Sequence, residues 1–110
     1  MDASLKSNML DMIIMSDLLQ GYIIVGIFDN HTEQDLSLYL ELTCEEVILS
    51  PKQSIKLMAK KENGLLPITV SLVTGGLQIY ANQIGDPDWY ISFNDKIIKP
   101  SHPTRLLDYE

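Results

Sequence analysis

Cysteine is almost absent from this 110-residue chain, which contains only Cys44. A single cysteine excludes an intramolecular disulfide, so the fold has to be stabilised by a hydrophobic core. Long apolar runs are also lacking: the longest, Tyr22–Phe28, spans seven residues, whereas a helix that crosses a bilayer needs about 20. The sequence therefore predicts neither a membrane span nor a signal peptide, and we expect a cytoplasmic protein.

Patterns that mark catalytic and cofactor sites are lacking as well. The glycines do not form a phosphate-binding loop or a dinucleotide fingerprint, and the spacings of zinc and blue-copper ligands are missing. Cys44 with His31 or His102 would have the chemistry of a nucleophile and its base. However, Cys44 follows an apolar strand, where a small buried residue is expected. We therefore predict no catalytic residue, no cofactor and no metal site.

Basic residues are missing from one long stretch of the chain. The net charge is −7, and the span between Ser7 and Pro51 holds eight acids without a lysine or arginine. A cluster of four lysines follows it directly: Lys52, Lys56, Lys60 and Lys61. We expect no nucleic-acid partner, because phosphate binding needs a basic surface. An acidic face would attract a basic protein, although acids of this kind also serve simply to keep a small protein soluble.

The N-terminal segment 5–19 has the spacing of an amphipathic helix. Its apolar residues recur near the 3.6-residue period, and Gly21, two residues beyond the segment's end, can stop a helix. The segment is rich in methionine, which is common both as a core filler and on adaptable binding surfaces. We expect the apolar stripe to cover an open face or end of a sheet: Leu5, Met9, Met12, Ile13 and Leu19.

From Tyr22 onward the pattern changes to that of β-strands. Tyr22–Phe28 is continuously apolar, which predicts a central strand covered on both faces. The clearest half-buried strand is Leu36–Leu42, in which leucines alternate with polar residues and Tyr39. Turn residues separate the remaining segments, which we predict as strands: 46–49, 54–59, 68–73, 77–81, 89–93 and 96–99.

This count predicts a mainly β, single-domain protein covering residues 1–110. The expected architecture is a small antiparallel β-sandwich over residues 22–99, Ig-like or barrel-like, with seven or eight strands. Pro67 indicates that the strand after it lies at a sheet edge, and Asn63-Gly64 predicts a hairpin turn. Residues 100–110 contain Pro103 and several charges, and we expect them to form a surface tail.

The leading functional hypothesis is a non-enzymatic module that binds a more basic protein, in the manner of an inhibitor, immunity protein or secretion chaperone. It rests on the base-free acidic span and on the lack of catalytic patterns. Tyr39 would serve as an aromatic anchor among carboxylates. The predicted partner-binding residues are Asp29, Glu33, Asp35, Tyr39, Glu41, Glu45 and Glu46.

Two other hypotheses remain open. The chain could be a structural subunit that forms a homo-oligomer through an apolar edge strand or through the methionine-rich segment. It could also be a carbohydrate-binding or hydrolytic sandwich that uses Trp89, Tyr90 and the neighbouring aspartates. The pair Asp86 and Asp88 is better explained as a turn whose carboxylates accept backbone hydrogen bonds.

Overall fold

A computed structural model describes residues 21–61 and 67–110. The described residues form nine strands and one short 3₁₀ helix, so the prediction of a mainly β protein is confirmed. The elements, in chain order, are β1 (Tyr22–Asp29), β2 (Leu36–Leu40), β3 (Glu45–Leu49), β4 (Ser54–Lys60), β5 (Ile68–Val73), β6 (Gly76–Ala81), β7 (Tyr90–Phe93), β8 (Lys96–Ile98), β9 (Thr104–Arg105) and the 3₁₀ helix (Leu106–Tyr109).

The strands form two sheets. The four-stranded sheet has the order β1-β4-β7-β8 and is entirely antiparallel. The five-stranded sheet has the order β5-β6-β2-β3-β9 and is mixed, because β2 pairs in parallel with β6 and β3 in parallel with β9. The prediction of a wholly antiparallel fold is therefore wrong for this sheet. Parallel pairing needs a crossover between distant segments, and strand periodicity carries no record of such connections.

One hydrophobic core takes residues from both sheets. Alternation along β2 and β4 directs Leu38, Leu40, Ile55 and Leu57 into it, as their spacing predicted. Trp89 lies in the same core, fully buried, and its indole Nε1 donates a 2.9 Å hydrogen bond to the carbonyl of Glu41. This bond joins the residue directly before β7 in one sheet to the residue directly after β2 in the other.

Strand β1 lies at the edge of the four-stranded sheet, which corrects the prediction of a central strand over Tyr22–Phe28. It pairs with β4 on one side, and three isoleucines remain exposed: Ile23 by 36%, Ile24 by 45% and Ile27 by 63%. A continuous apolar run usually means burial on both faces. Here it marks an edge that the rest of the described chain leaves open.

The C-terminal residues are part of the fold rather than a surface tail. Thr104 and Arg105 form β9 beside β3, and the 3₁₀ helix follows immediately. Leu106 is completely buried in the core, whereas its neighbour Leu107 is 60% exposed. Sequence reasoning missed β9 because two residues are too few to show a period.

Gly76 marks the closest approach between two strands of the five-stranded sheet. It pairs with Ser37 in the parallel β2–β6 ladder. A Cβ atom at Gly76 would lie 1.9 Å from the carbonyl oxygen of Ser37. Only glycine therefore fits at this position, for a steric reason that concerns the neighbouring backbone.

Two predictions concern parts of the chain outside the described residues: the helix over 5–19 and the turn at Asn63-Gly64. Other boundaries agree closely with the sequence pattern. β5 covers the predicted residues 68–73 and lies at a sheet edge, as Pro67 indicated. Within the described residues, no helix is long and apolar enough to cross a membrane.

Candidate functional site

Three of the predicted partner-binding residues come together on the outer face of the five-stranded sheet. Tyr39 lies opposite Glu46 in the β2–β3 ladder. Glu41 follows two residues after Tyr39 and continues the ladder, since its backbone N–H donates to the carbonyl of Ile79. Side chains alternate along a strand, so Tyr39 and Glu41 lie on the side away from Leu38 and Leu40. We call the surface formed by Ser37, Tyr39, Glu41, Glu46 and Gln78 the Tyr39 face.

Neutral side chains hold both carboxylates of the Tyr39 face in place. Ser37 Oγ donates a 2.7 Å hydrogen bond to Glu46 Oε2, and Gln78 Nε2 donates a 2.8 Å bond to Glu41 Oε1. His102 Nδ1 lies 3.7 Å from Glu46 Oε1. A carboxylate accepts up to about four hydrogen bonds, so both groups keep the capacity to bind an incoming cation.

The carboxylates of the Tyr39 face are not neutralised by a lysine or arginine among the described residues. In the described part of the chain, no lysine or arginine forms a salt bridge with Glu41 or Glu46. The β3–β9 pairing brings one cation, Arg105, beside Ile48 at the margin of the sheet. His102 and Arg105 therefore border the face, and the two carboxylates flank Tyr39 at its centre.

The four other predicted acids do not join this face. Glu45 lies opposite Leu40, on the side of the core, and its Oε2 is buried without a hydrogen-bond partner among the described residues. Asp35 is exposed in the loop before β2. Asp29 and Glu33 line a separate depression of about 610 Å³, together with residues of the β3–β4 turn. The predicted set is thus divided between at least two features of the surface.

Asn30 organises the loop that forms this depression. It is buried, and its Nδ2 donates to the carbonyls of Gln34 and Leu49 at 2.8 and 2.9 Å. Its Oδ1 accepts hydrogen bonds from both the backbone N–H and the hydroxyl of Thr32. The sequence predicted only a turn here, and the role of Asn30 is to fix the shape of that turn.

A second cluster, which sequence reasoning missed, lies on the outer face of the four-stranded sheet. We call Tyr22, Met58, Asp88, Tyr90 and Lys99 the Tyr22 cluster. The rings of Tyr22 and Tyr90 meet edge to face with centroids 5.4 Å apart, and Lys99 Nζ lies 4.9 Å from the Tyr90 centroid. Met58 is buried beneath the two tyrosines although it points away from the main core. Such an arrangement combines aromatic and cation–π contacts in one place.

Asp88 joins the polar groups of the Tyr22 cluster. The Tyr22 hydroxyl donates a 2.6 Å hydrogen bond to Asp88 Oδ2, and Lys99 forms a salt bridge with Asp88 Oδ1. The hydrogen bond from Lys99, followed by that from Tyr22, lowers the pKa of Asp88. Burial, and then the hydrogen bond with Asp88, raise the pKa of Tyr22 above its usual 10.0. At neutral pH Asp88 is therefore ionised and the Tyr22 hydroxyl is neutral. These contacts stabilise the fold, and they do not form an acid–base pair.

The contacts of Asp88 predict that the free energy of unfolding falls in acid. Because the folded pKa of Asp88 is lowered, its contribution is complete above the ordinary value of 3.8 and is lost as pH falls through the folded value. Asp88→Asn should reduce stability at pH 7 by about 1 kcal/mol or less, since the ion pair is half exposed. The substitution should also make the free energy of unfolding fall less steeply between about pH 5 and pH 2. Urea unfolding across this range measures both effects.

A matched variant tests whether that acid sensitivity belongs to Asp88. Asparagine tolerates the positive φ of 44° at this position, so the substitution does not strain the backbone. Asp108→Asn removes an exposed carboxylate elsewhere and should leave the wild-type slope unchanged. Equal flattening in both variants would show that the slope reflects general charge rather than the Tyr22 cluster.

The structure also places Cys44, Trp89 and the turn at Asp86. Cys44 is exposed in the β2–β3 turn with a positive φ of 62°, so the prediction of a buried residue is wrong. Trp89 is fully buried and offers no surface to a sugar. The turn at Asp86 is confirmed, because Asp86 Oδ1 accepts a 2.7 Å hydrogen bond from the N–H of Asp88.

Comparison with known proteins gives no relative on which to base a function. The chain matches no family model, no curated protein and no solved structure. Among the described residues, no three histidine, cysteine or acidic side chains lie close enough together to hold a metal ion.

Proposed function

We propose that this protein is a non-enzymatic, cytoplasmic binding module of the inhibitor, immunity or chaperone type. It binds a more basic protein through the Tyr39 face. The observation that carries the proposal is the placement of Tyr39 between Glu41 and Glu46, whose carboxylates are already held by Gln78 and Ser37. Tyrosine is among the residues that contribute most to protein interfaces.

The architecture supports this use of the sheet. We infer that the two sheets stack as a β-sandwich, since residues of both contribute to one core. The Tyr39 face would then be the outer surface of a rigid platform, in which Leu38, Leu40 and Ile79 anchor the strands from beneath. Side chains presented on a rigid platform lose little conformational entropy on binding, so more of the contact energy appears as affinity.

Charge supports a basic partner in particular. The net charge of −7 would accelerate encounter with a protein of opposite charge. Each carboxylate on the face accepts a hydrogen bond from one neutral side chain, so an arginine or lysine of the partner can approach without displacing a lysine or arginine from either carboxylate. The arrangement therefore favours a partner with a hollow that receives Tyr39 and with cationic side chains around that hollow.

Affinity capture from the native host, followed by titration calorimetry with the purified partner, tests the proposal. Wild-type protein should capture a partner of basic isoelectric point. Tyr39→Ala should weaken that complex about 30-fold, the effect of removing a hot-spot contact worth roughly 2 kcal/mol. The double variant E41Q/E46Q keeps the side-chain size and should slow association and reduce its salt dependence.

The control is Tyr109→Ala, which removes an exposed tyrosine of the 3₁₀ helix. It should leave the affinity unchanged. A partner that binds wild-type and Tyr39→Ala proteins equally well would reject the Tyr39 face. A partner with an acidic contact surface would reject the role of the carboxylates, whatever the effect of Tyr39→Ala.

A further inference from the structure

We propose that β1 pairs with β1 of a second copy of this chain to form a two-fold symmetric dimer. The four-stranded sheet would thereby become a continuous eight-stranded sheet. No described strand lies on the free side of β1, where alternate backbone N–H and C=O groups point outward. This interface is separate from the Tyr39 face, which belongs to the other sheet.

β1 lacks the charges and proline that normally protect an edge strand, and its one irregularity is a register shift between Ile24 and Gly26 in its pairing with β4. From Tyr22 to Phe28 it contains no charged residue and no proline, both of which discourage pairing with another chain. The other edges are better protected: β5 follows Pro67, β8 has three residues including Lys96, and β9 has two. β1 is thus the longest of the four described edge strands. Its apolar run contains no charged residue and no proline, and neither comes directly before it; this holds for no other described edge.

The exposed apolar side chains of β1 would also gain from pairing with a second copy. Ile24 and Ile27 lie opposite Met58 and Lys56 of β4, on the outer face of the sheet. In a symmetric pair, these isoleucines would pack beside their equivalents from the second copy. Cross-strand contacts of this kind stabilise a ladder and remove apolar surface from water.

The charges at the two ends of β1 select an antiparallel arrangement. Its beginning lies beside Lys60, its partner in β4, and beside Lys61, whose N–H donates to the carbonyl of Gly21. Its end carries the carboxylate of Asp29, the last residue of the strand, and Lys56 lies nearby, opposite Ile27. Antiparallel pairing places Asp29 of each copy toward Lys60 and Lys61 of the other, and a two-fold axis permits only this direction for identical strands.

Light scattering coupled to size-exclusion chromatography tests the dimer on the full chain. At high concentration the wild-type mass should be twice the 12.4 kDa of the chain and should fall on dilution. Ile27→Lys places like charges near the two-fold axis and should weaken dimerisation at least tenfold, an order-of-magnitude expectation for repulsion across a ladder. Leu72→Lys is the matched control, because Leu72 is an 86% exposed apolar residue on β5, the edge of the other sheet.

Hydrogen exchange of the wild-type protein keeps the test valid if Ile27→Lys fails to fold. On dilution, the amides of residues 22–29 that point away from β4 should lose protection, while the amides that bond within the β1–β4 ladder keep theirs. A monomer at every concentration would overturn the proposal, and this is the expected result if the segment before Gly21 covers β1 instead. A dimer that Leu72→Lys disrupts as strongly as Ile27→Lys would also overturn it.

Discussion

Replacing Gly76 with alanine is expected to destabilise the protein by about 4 kcal/mol or to prevent folding, because the new methyl group has no space. Its Cβ would lie 1.9 Å from the carbonyl oxygen of Ser37 and 2.8 Å from the carbonyl carbon. Both atoms belong to the backbone of β2, so no side-chain rotation relieves the clash. The β2–β6 ladder would have to separate at its first pair. Denaturant unfolding followed by circular dichroism measures the loss.

Gly75 provides the control for this experiment. A Cβ there would meet only the Tyr39 hydroxyl, at 4.0 Å, but the residue has a positive φ of 84°. Gly75→Ala should therefore cost about 1–2 kcal/mol, the usual penalty of a left-handed conformation for a residue with a side chain. Equal losses for the two variants would mean that β2 and β6 do not approach each other as closely as the structure shows.

Leu106→Ala is expected to destabilise the protein by about 2–5 kcal/mol, the range found for large-to-small substitutions in a packed core. Leu106 is completely buried and packs in the core formed by both sheets. Shortening it removes apolar contacts and leaves a cavity that the short 3₁₀ helix and its neighbours fill only in part. Thermal and urea unfolding measure the change.

Leu107→Ala is a control on the adjacent residue. Leu107 is 60% exposed, so the same chemical change should alter stability by no more than about 0.5 kcal/mol. The two variants thus distinguish an integral C-terminal segment from a surface tail. Small, equal effects would support the tail that the sequence predicts, and a large difference would support the structure.

Much of the fold could be predicted from alternation and turn residues. The leucines of β2, and Ile55, Leu57 and Ala59 of β4, point into the core at the positions that a two-residue period requires. Pro67 correctly indicated an edge strand. These features are local, because each depends on a few neighbouring residues in the sequence.

The errors concern properties that depend on distant segments. Whether Tyr22–Phe28 is central or at an edge depends on which strands pair with it, and the apolar run alone does not contain that information. The parallel pairings of β6 and β9 likewise result from crossovers. Burial of Leu106 follows from the position of β9 beside β3, which no local pattern encodes.

The candidate site was predictable only in part, for the same reason. Alternation placed Tyr39 and Glu41 on one face of a strand, and the hairpin brought Glu46 opposite Tyr39. Asp29 and Glu33 are near Tyr39 in sequence, but the loop held by Asn30 places them at the depression. The Tyr22 cluster was missed because Tyr22 and Asp88 are separated by 66 positions.

The parallel β3–β9 pairing has a consequence for the order of events during synthesis. Thr104 and Arg105 pair with Val47 and Ile48, so more than half of the chain leaves the ribosome between the two partners. Until β9 arrives, the outer side of β3 is without its partner strand and the core lacks Leu106. Completion of the five-stranded sheet therefore has to wait for Thr104, Arg105 and Leu106, and folding dominated by such distant contacts is slow.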